Sequence, residues 1–132
     1  MAKIIQQSGK RKRAIARATL RPGTGKVRVN HILMEVFGSR MNRLKLMEPF
    51  IVADEPLSNY NIDVSVAGGG CTSQVEAARL AIARALVKQN KKLEKVFLSY
   101  DRQLLVADVR RKESSKPNCR GQARAKKQKS YR

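Results

Sequence analysis

Three consecutive glycines, Gly68-Gly69-Gly70, are the feature of this chain most suited to chemistry. They follow an alternating apolar stretch and precede an alanine-rich one of helical period. In that setting backbone N–H groups and the positive end of a helix can meet a phosphate. No Lys lies between Gly68 and Ser73, so the pattern of a nucleotide-binding P-loop is not met. Two readings stay open for this loop: a tight turn allowing close contact between helix and sheet, and a contact to one backbone phosphate of a nucleic acid. His31 is the single histidine and has no Cys, Asp or second His at ligand spacing, so it reads as structural. Cys71 stands just before the expected helix, where a thiolate is favoured, but no base can be assigned to it. Cys119 is too far from Cys71 for a redox pair, and two lone cysteines suit a reduced compartment. There is no set of paired carboxylates, no triad and no metal-ligating cluster. The residues do not argue for an enzyme, and they call for no cofactor and no metal.

What remains is charge. The 132 residues carry 29 Lys and Arg against 10 Asp and Glu, a formal net charge of +19. Such a chain repels itself and seeks a polyanion. Residues 1–30 hold Lys3, Lys10, Arg11, Lys12, Arg13, Arg17, Arg21, Lys26 and Arg28 without one acid. Residues 110–132 hold Arg110, Arg111, Lys112, Lys116, Arg120, Arg124, Lys126, Lys127, Lys129 and Arg132 against Glu113 alone. Between them the signs nearly balance. Solubility does not require such asymmetry, because a solvated surface mixes its signs. The expected organisation is a globular polyanion-binding body over 1–109 and an extended cationic tail over 110–132, ordered only on binding. No stretch is long and apolar enough to span a membrane, and the N-terminus does not read as a signal peptide, so a soluble protein without a membrane partner is expected.

These charges need elements to hold them. From Arg13 to Arg21 the odd positions are Arg13, Ile15, Arg17, Thr19 and Arg21, and the even ones Ala14, Ala16, Ala18 and Leu20. Period two places the sets on opposite faces of a strand. Pro22-Gly23-Thr24-Gly25 signals a turn and Lys26–Asn30 alternates again, which predicts a hairpin with a cationic outer face free of acids. Ile4–Ser8 is a further strand candidate. His31–Phe37 reads as a short helix capped by Asn30, and Arg40–Glu48 as a second, capped by Ser39, with Leu44 and Met47 inward and Pro49 interrupting it. Tyr60–Val66 is the clearest strand. After the glycines, Ser73 and Glu76 have capping-box spacing, and Val75, Ala78, Ile82 and Leu86 define the buried face of a long helix. Lys91–Leu98 extends the helical pattern after Asn90.

The runs Ser8-Gly9-Lys10-Arg11-Lys12-Arg13-Ala14-Ile15-Ala16-Arg17-Ala18, Gly68-Gly69-Gly70, Ala77–Leu86 and Lys129-Ser130-Tyr131-Arg132, in this order, resemble the small-subunit ribosomal protein nine family in its archaeal form. One departure is Cys71-Thr72-Ser73 before Gln74, where the family commonly carries a glycine. The resemblance implies an α+β fold: a four-stranded mixed sheet with helices packed on it and a left-handed βαβ crossover, followed by a long basic tail. It implies a structural, non-catalytic protein of the small-subunit head, in the cytoplasm, with ribosomal RNA and neighbouring head proteins as partners. It also implies that the tail reaches the peptidyl-site transfer RNA. On this chain the ribosomal RNA candidates are Lys10, Arg11, Lys12, Arg13, Arg17, Arg21, Lys26, Arg28, Gly68, Gly69, Gly70, Arg110, Arg111, Lys112, Lys116, Arg120 and Arg124. The transfer RNA candidates are Lys126, Lys127, Lys129, Tyr131 and Arg132. Composition alone leaves a free-standing basic nucleic-acid-packaging protein as the alternative, since phosphate contacts carry no sequence identity.

Overall fold

The computed structural model describes residues 4–54 and 60–124. The architecture is α+β, a mixed sheet with helices against it. The strands are β1 (Ile5–Arg11), β2 (Ala14–Pro22), β3 (Val27–Val29), β4 (Ile32–Leu33) and β5 (Tyr60–Ala67). The helices are α1 (Arg40–Ala53), α2 (Cys71–Gln89) and α3 (Leu93–Tyr100), followed by a 3-10 turn at Arg102–Leu104.

The sheet has five strands in the order β1-β2-β5-β3-β4, where four were expected. The fifth is β4, in place of the first half of the helix expected over His31–Phe37. Asn30 and His31 both have positive φ, at 48° and 69°, and Val29 pairs with Ile32. Two left-handed residues between paired strands make the tight turn that matches strand twist. Asn30 is held there instead of capping a helix: its side chain donates to the Val66 carbonyl and accepts from the Val66 N–H.

The hairpin expected between residues 13–21 and 26–30 does not form. β5 lies between the two segments, antiparallel to β2 and parallel to β3. The hairpin that does exist joins β1 to β2 through Lys12 and Arg13, with Arg11 opposite Ala14. The turn after β2, Pro22–Gly25, is tied to β5, because Asn61 Oδ1 accepts from the backbone N–H groups of Thr24 and Lys26. β3 and β5 are parallel neighbours connected through α1, a βαβ unit.

Alternation places the core as read. Ala14, Ala16, Ala18 and Leu20 of β2 and Ile62, Val64 and Val66 of β5 are buried beneath Val75, Ala78, Ala81, Ile82, Ala85 and Leu86 of α2. Small side chains let this helix lie close to the sheet. At Gly9 a Cβ would come within 2.2 Å of the Ala77 carbonyl oxygen and 2.8 Å of the Ala81 nitrogen, so only glycine fits. The N-cap of α2 is Gly70, without a side-chain cap, so the helix starts before the Ser73–Glu76 capping box can act. Helix α1 is capped by Ser39 as expected but continues past Pro49 to Ala53. Its buried residues are Leu46, Pro49, Phe50 and Ala53, whereas Leu44 and Met47 are exposed. The continuation past Pro49 keeps Phe50 and Ala53 in the core, which compensates for the missing backbone donor.

Beyond the 3-10 turn no further helix or strand occurs up to Arg124. Residues 105–111 run beside β1: Arg84 donates from Nε to the Leu105 carbonyl and from Nη1 to the Ser8 carbonyl, and Arg111 Nη1 donates to the Lys12 carbonyl. The outer edge of the sheet is thus covered, which protects an unpaired strand from pairing with another chain. Further on the chain does not run straight out. It doubles back, with Lys116 N–H donating to the Gln122 carbonyl and Asn118, Arg120 and Gly121 at positive φ.

Candidate nucleic-acid interface

The helices cover one face of the sheet. The other face carries the odd residues of β2 and β5 and the even residues of β1. Register sets them in rows: Ser8, Arg17 and Ser65 in one; Gln6, Thr19, Asp63 and Arg28 in the next. A shallow depression of about 700 Å³ lies over these rows, with Arg21 and His31 at its margin. Arg17, Arg21 and Arg28 are exposed and make no ion pair among the described residues. The expectation of a face free of acids fails: β5 lies between β2 and β3 and brings Asp63 into register with Arg28. His31 is exposed beside the arginines and is no core residue.

A second concave region, about 1250 Å³, lies between the β1–β2 turn, the glycine loop and the tail. It is lined by Lys12, Arg13, Gly69 and Gly70 from the body and by Arg110, Arg111, Lys112 and Arg124 from the tail. Here the glycines serve close packing. Gly68 and Gly69 have φ of +76° and +70°, and a Cβ on Gly68 would meet the Arg13 carbonyl oxygen at 2.7 Å. The loop is therefore locked to the β1–β2 turn, and the start of α2, with no acid in its first turn, opens on the same cleft. A helix N-terminus with nearby cations favours an anion. Both open readings of the triple glycine are compatible with this placement.

Not every candidate cation is available. Arg11 points to the helix side of β1, donates from Nε to Glu76 Oε2 at 2.7 Å and pairs through Nη1 with Asp108. Its side chain is 18% exposed and that of Asp108 is 11%. Lys45 reaches the other oxygen of Glu76 at 3.4 Å, and Arg110 pairs with Asp108 at 2.7 Å. Hydrogen bonds from Arg110, and then from Arg11, hold the Asp108 carboxyl well below the usual carboxylate range. Lys116 and Arg124 both pair with Glu113, which lowers its pKa. Lys10, Lys12, Arg13, Lys26, Lys112 and Arg120 are exposed. The transfer RNA candidates at 126–132 lie outside the described residues. The sequence reading placed Thr19 on this face with Arg17 but missed Gln6, Ser8, Asp63 and Ser65 as parts of it. The period-two pattern that exposes Arg17 was the signal that would have found them.

Among the described residues no group of His, Cys, Asp and Glu could hold a metal, and no helix is long and apolar enough to cross a membrane. An open cationic sheet face and an arginine-lined cleft have the charge and shape to suit a polyanion. The model of the family described as ribosomal protein S9/S16 matches residues 9–132, and the chain belongs to that family: it is a ribosomal protein and not an enzyme. It is 48% identical to the small ribosomal subunit protein uS9 of Methanococcus maripaludis strain C7, across 98% of this chain and 99% of that one. It is 47% identical to the protein of that name from Methanococcus vannielii and 46% identical to that from Methanothrix thermoacetophila, at the same coverage. Membership of this family supersedes the packaging-protein alternative and gives the chain its place in the ribosome, in the cytoplasm.

Proposed function

We propose that the protein, a structural component of the small ribosomal subunit, binds ribosomal RNA through its open sheet face and the cleft beside the glycine loop, and touches the peptidyl-site transfer RNA with its terminal residues. The observation that carries this is the set of exposed arginines 17, 21 and 28 on the sheet, without an ion pair among the described residues, while Glu48, Glu76 and Asp101 of the helix side are consumed in internal pairs. Arginines held in this way displace counterions from phosphates and add directed hydrogen bonds. With this reading go the division into a body over 1–109 and a tail over 110–132, contacts to neighbouring head proteins, and the left-handed sense of the β3–α1–β5 connection that the resemblance implies.

Charge reversal tests the first part. Reversing Arg13, Arg17 and Lys26 should reduce the salt slope of ribosomal RNA binding by roughly 0.7–0.9 per lost contact, and reversing Lys88, Lys91 and Lys92 should reduce it far less. Equal losses would show that only net charge matters. Removing 126–132 tests the second part. It should leave subunit assembly intact and speed transfer RNA dissociation from the peptidyl site at fixed salt. An unchanged rate in fully assembled subunits would overturn the assignment of Lys126, Lys127, Lys129, Tyr131 and Arg132.

A further inference from the structure

We propose that the open sheet face reads double-stranded RNA along its minor groove, with Arg17, Arg21 and Arg28 on phosphates and the side chains of Ser8, Thr19, Asp63 and Ser65 on the donors and hydroxyls of that groove. The inference rests on the RNA-binding reading above and specifies which form of RNA this face takes.

Asp63 carries the argument furthest. It stands in register with Thr19 on one side and Arg28 on the other, is exposed, and has no partner among the described residues. A free carboxylate opposes a phosphate, so the phosphate backbone cannot lie directly over the middle of the face. What suits Asp63 is a neutral donor. The minor groove of an RNA duplex offers two: the ribose 2′-hydroxyl, and the exocyclic amino group of guanine.

The residues around Asp63 fit the same surface. The Ser8 and Ser65 hydroxyls are exposed with no protein partner among the described residues, and both flank Arg17 in one row. Thr19 Oγ1 accepts from Gln6 Nε2 at 3.4 Å and so keeps its own proton to donate. Hydroxyls both donate and accept, as a 2′-hydroxyl does. Arg17 and Arg21 bracket Thr19 along β2, roughly 13 Å apart at about 3.4 Å per residue, and Arg28 stands beside Asp63. Arginines spaced about 13 Å apart with neutral and acidic hydrogen-bonding groups between them are the complement of a wide, shallow groove bordered by phosphates.

Among the described residues the face offers single strands one aromatic ring, that of His31, beside its arginines. Splayed bases are held by stacking on aromatic rings. No Phe, Tyr or Trp lines the depression. A duplex presents no free base faces and needs none.

The test uses the full-length protein with a ribosomal RNA hairpin, a DNA hairpin of the same sequence and a single-stranded RNA of equal length, at fixed salt. The RNA hairpin should bind at least about tenfold more tightly than the DNA hairpin, with the single strand weaker than the RNA hairpin. Thr19→Val combined with Ser65→Ala should reduce the RNA-to-DNA ratio several-fold without changing the salt slope. Arg17→Gln with Arg28→Gln should instead weaken both hairpins and lower the slope by roughly 0.9 per contact. Asp63→Ala should weaken RNA selectively. Arg17, Arg28, Asp63 and Ser65 are exposed and Thr19 is half-buried, so circular dichroism of each variant checks the fold. Equal binding of the RNA and DNA hairpins, tighter binding of the single strand, or an Asp63→Ala variant that tightens on RNA and DNA alike would overturn the inference while leaving ribosomal RNA binding intact. Failure to bind any RNA would remove both.

Discussion

The two sides of the sheet use the same residue type for opposite purposes. On the helix side Arg79 is clamped between Glu48 and Asp101, and Arg11 between Glu76 and Asp108. On the open side Arg17, Arg21 and Arg28 stand without a partner among the described residues. The formal charge of the chain is therefore sorted as well as large. Glu48 and Asp101 fasten helices to one another, Glu76 and Asp108 fasten α2 and the root of the tail to β1, and the other face stays cationic. A charge count along the sequence cannot show this, because a paired arginine and a free one look alike until the fold brings their neighbours together.

The strongest way to test the contrast is at adjacent residues of β1. Gly9→Ala puts a Cβ against the backbone of α2 and should destabilise by about 3 kcal/mol. Ser8→Ala, on the open side, should change stability by less than about 0.5 kcal/mol. Urea unfolding measures both, and a tolerated alanine at position 9 would mean that α2 lies farther from the sheet than described.

A smaller effect separates the arginines themselves. Arg79→Ala leaves two carboxylates facing one another without their cation and should cost about 2 kcal/mol. Arg17→Ala should leave unfolding within about 0.5 kcal/mol of the parent and act on RNA binding alone. If the two variants unfold alike, the sorting of charge has no energetic content.

The mildest effect is on pH. The folded-state pKa values of Asp108 and Glu113 are lowered by their arginine and lysine partners. A lowered carboxyl stabilises the fold fully above its unfolded pKa, near about 4, and loses that contribution as pH falls toward the folded value. The urea midpoint should hold from pH 8 to 5 and decline below about 4. Asp108→Asn should lower it at pH 7 and flatten the acid decline. A midpoint of the parent unchanged down to pH 3 would show that these pairs contribute nothing.

Much of this was legible in local pattern. Ala14–Leu20, Tyr60–Val66 and Val75–Leu86 each repeat with the period of their element, and each buries the residues that period selects. The helix expected over His31–Phe37 failed because turn chemistry overrode an apolar cluster: Asn30 and His31 adopt the left-handed conformation without a glycine to announce it. Leu44 and Met47 failed because α1 is anchored by Leu46, Phe50 and Ala53, a face set by contact with α2. The pairing of the strands was not legible, since the choice between β3 and β5 as the neighbour of β2 is made by packing far along the chain. For the same reason Arg11 read as an RNA ligand: its partner Glu76 is 65 positions away. The rows of hydroxyls around Asp63 were readable from alternation, but their meaning depends on register.

The position of β5 between β2 and β3 sets a timetable during synthesis. β1 and β2 can pair as soon as they emerge, but one edge of β2 then waits for Tyr60–Ala67, while Val27–Val29 has only the two-residue β4 to join. At roughly 5–20 residues per second, the interval between Pro22 and Ala67 is roughly 2–9 s. Throughout it the nascent chain exposes an open strand edge beside unneutralised arginines. A polyanion that meets the chain in that window finds its binding residues before its core exists.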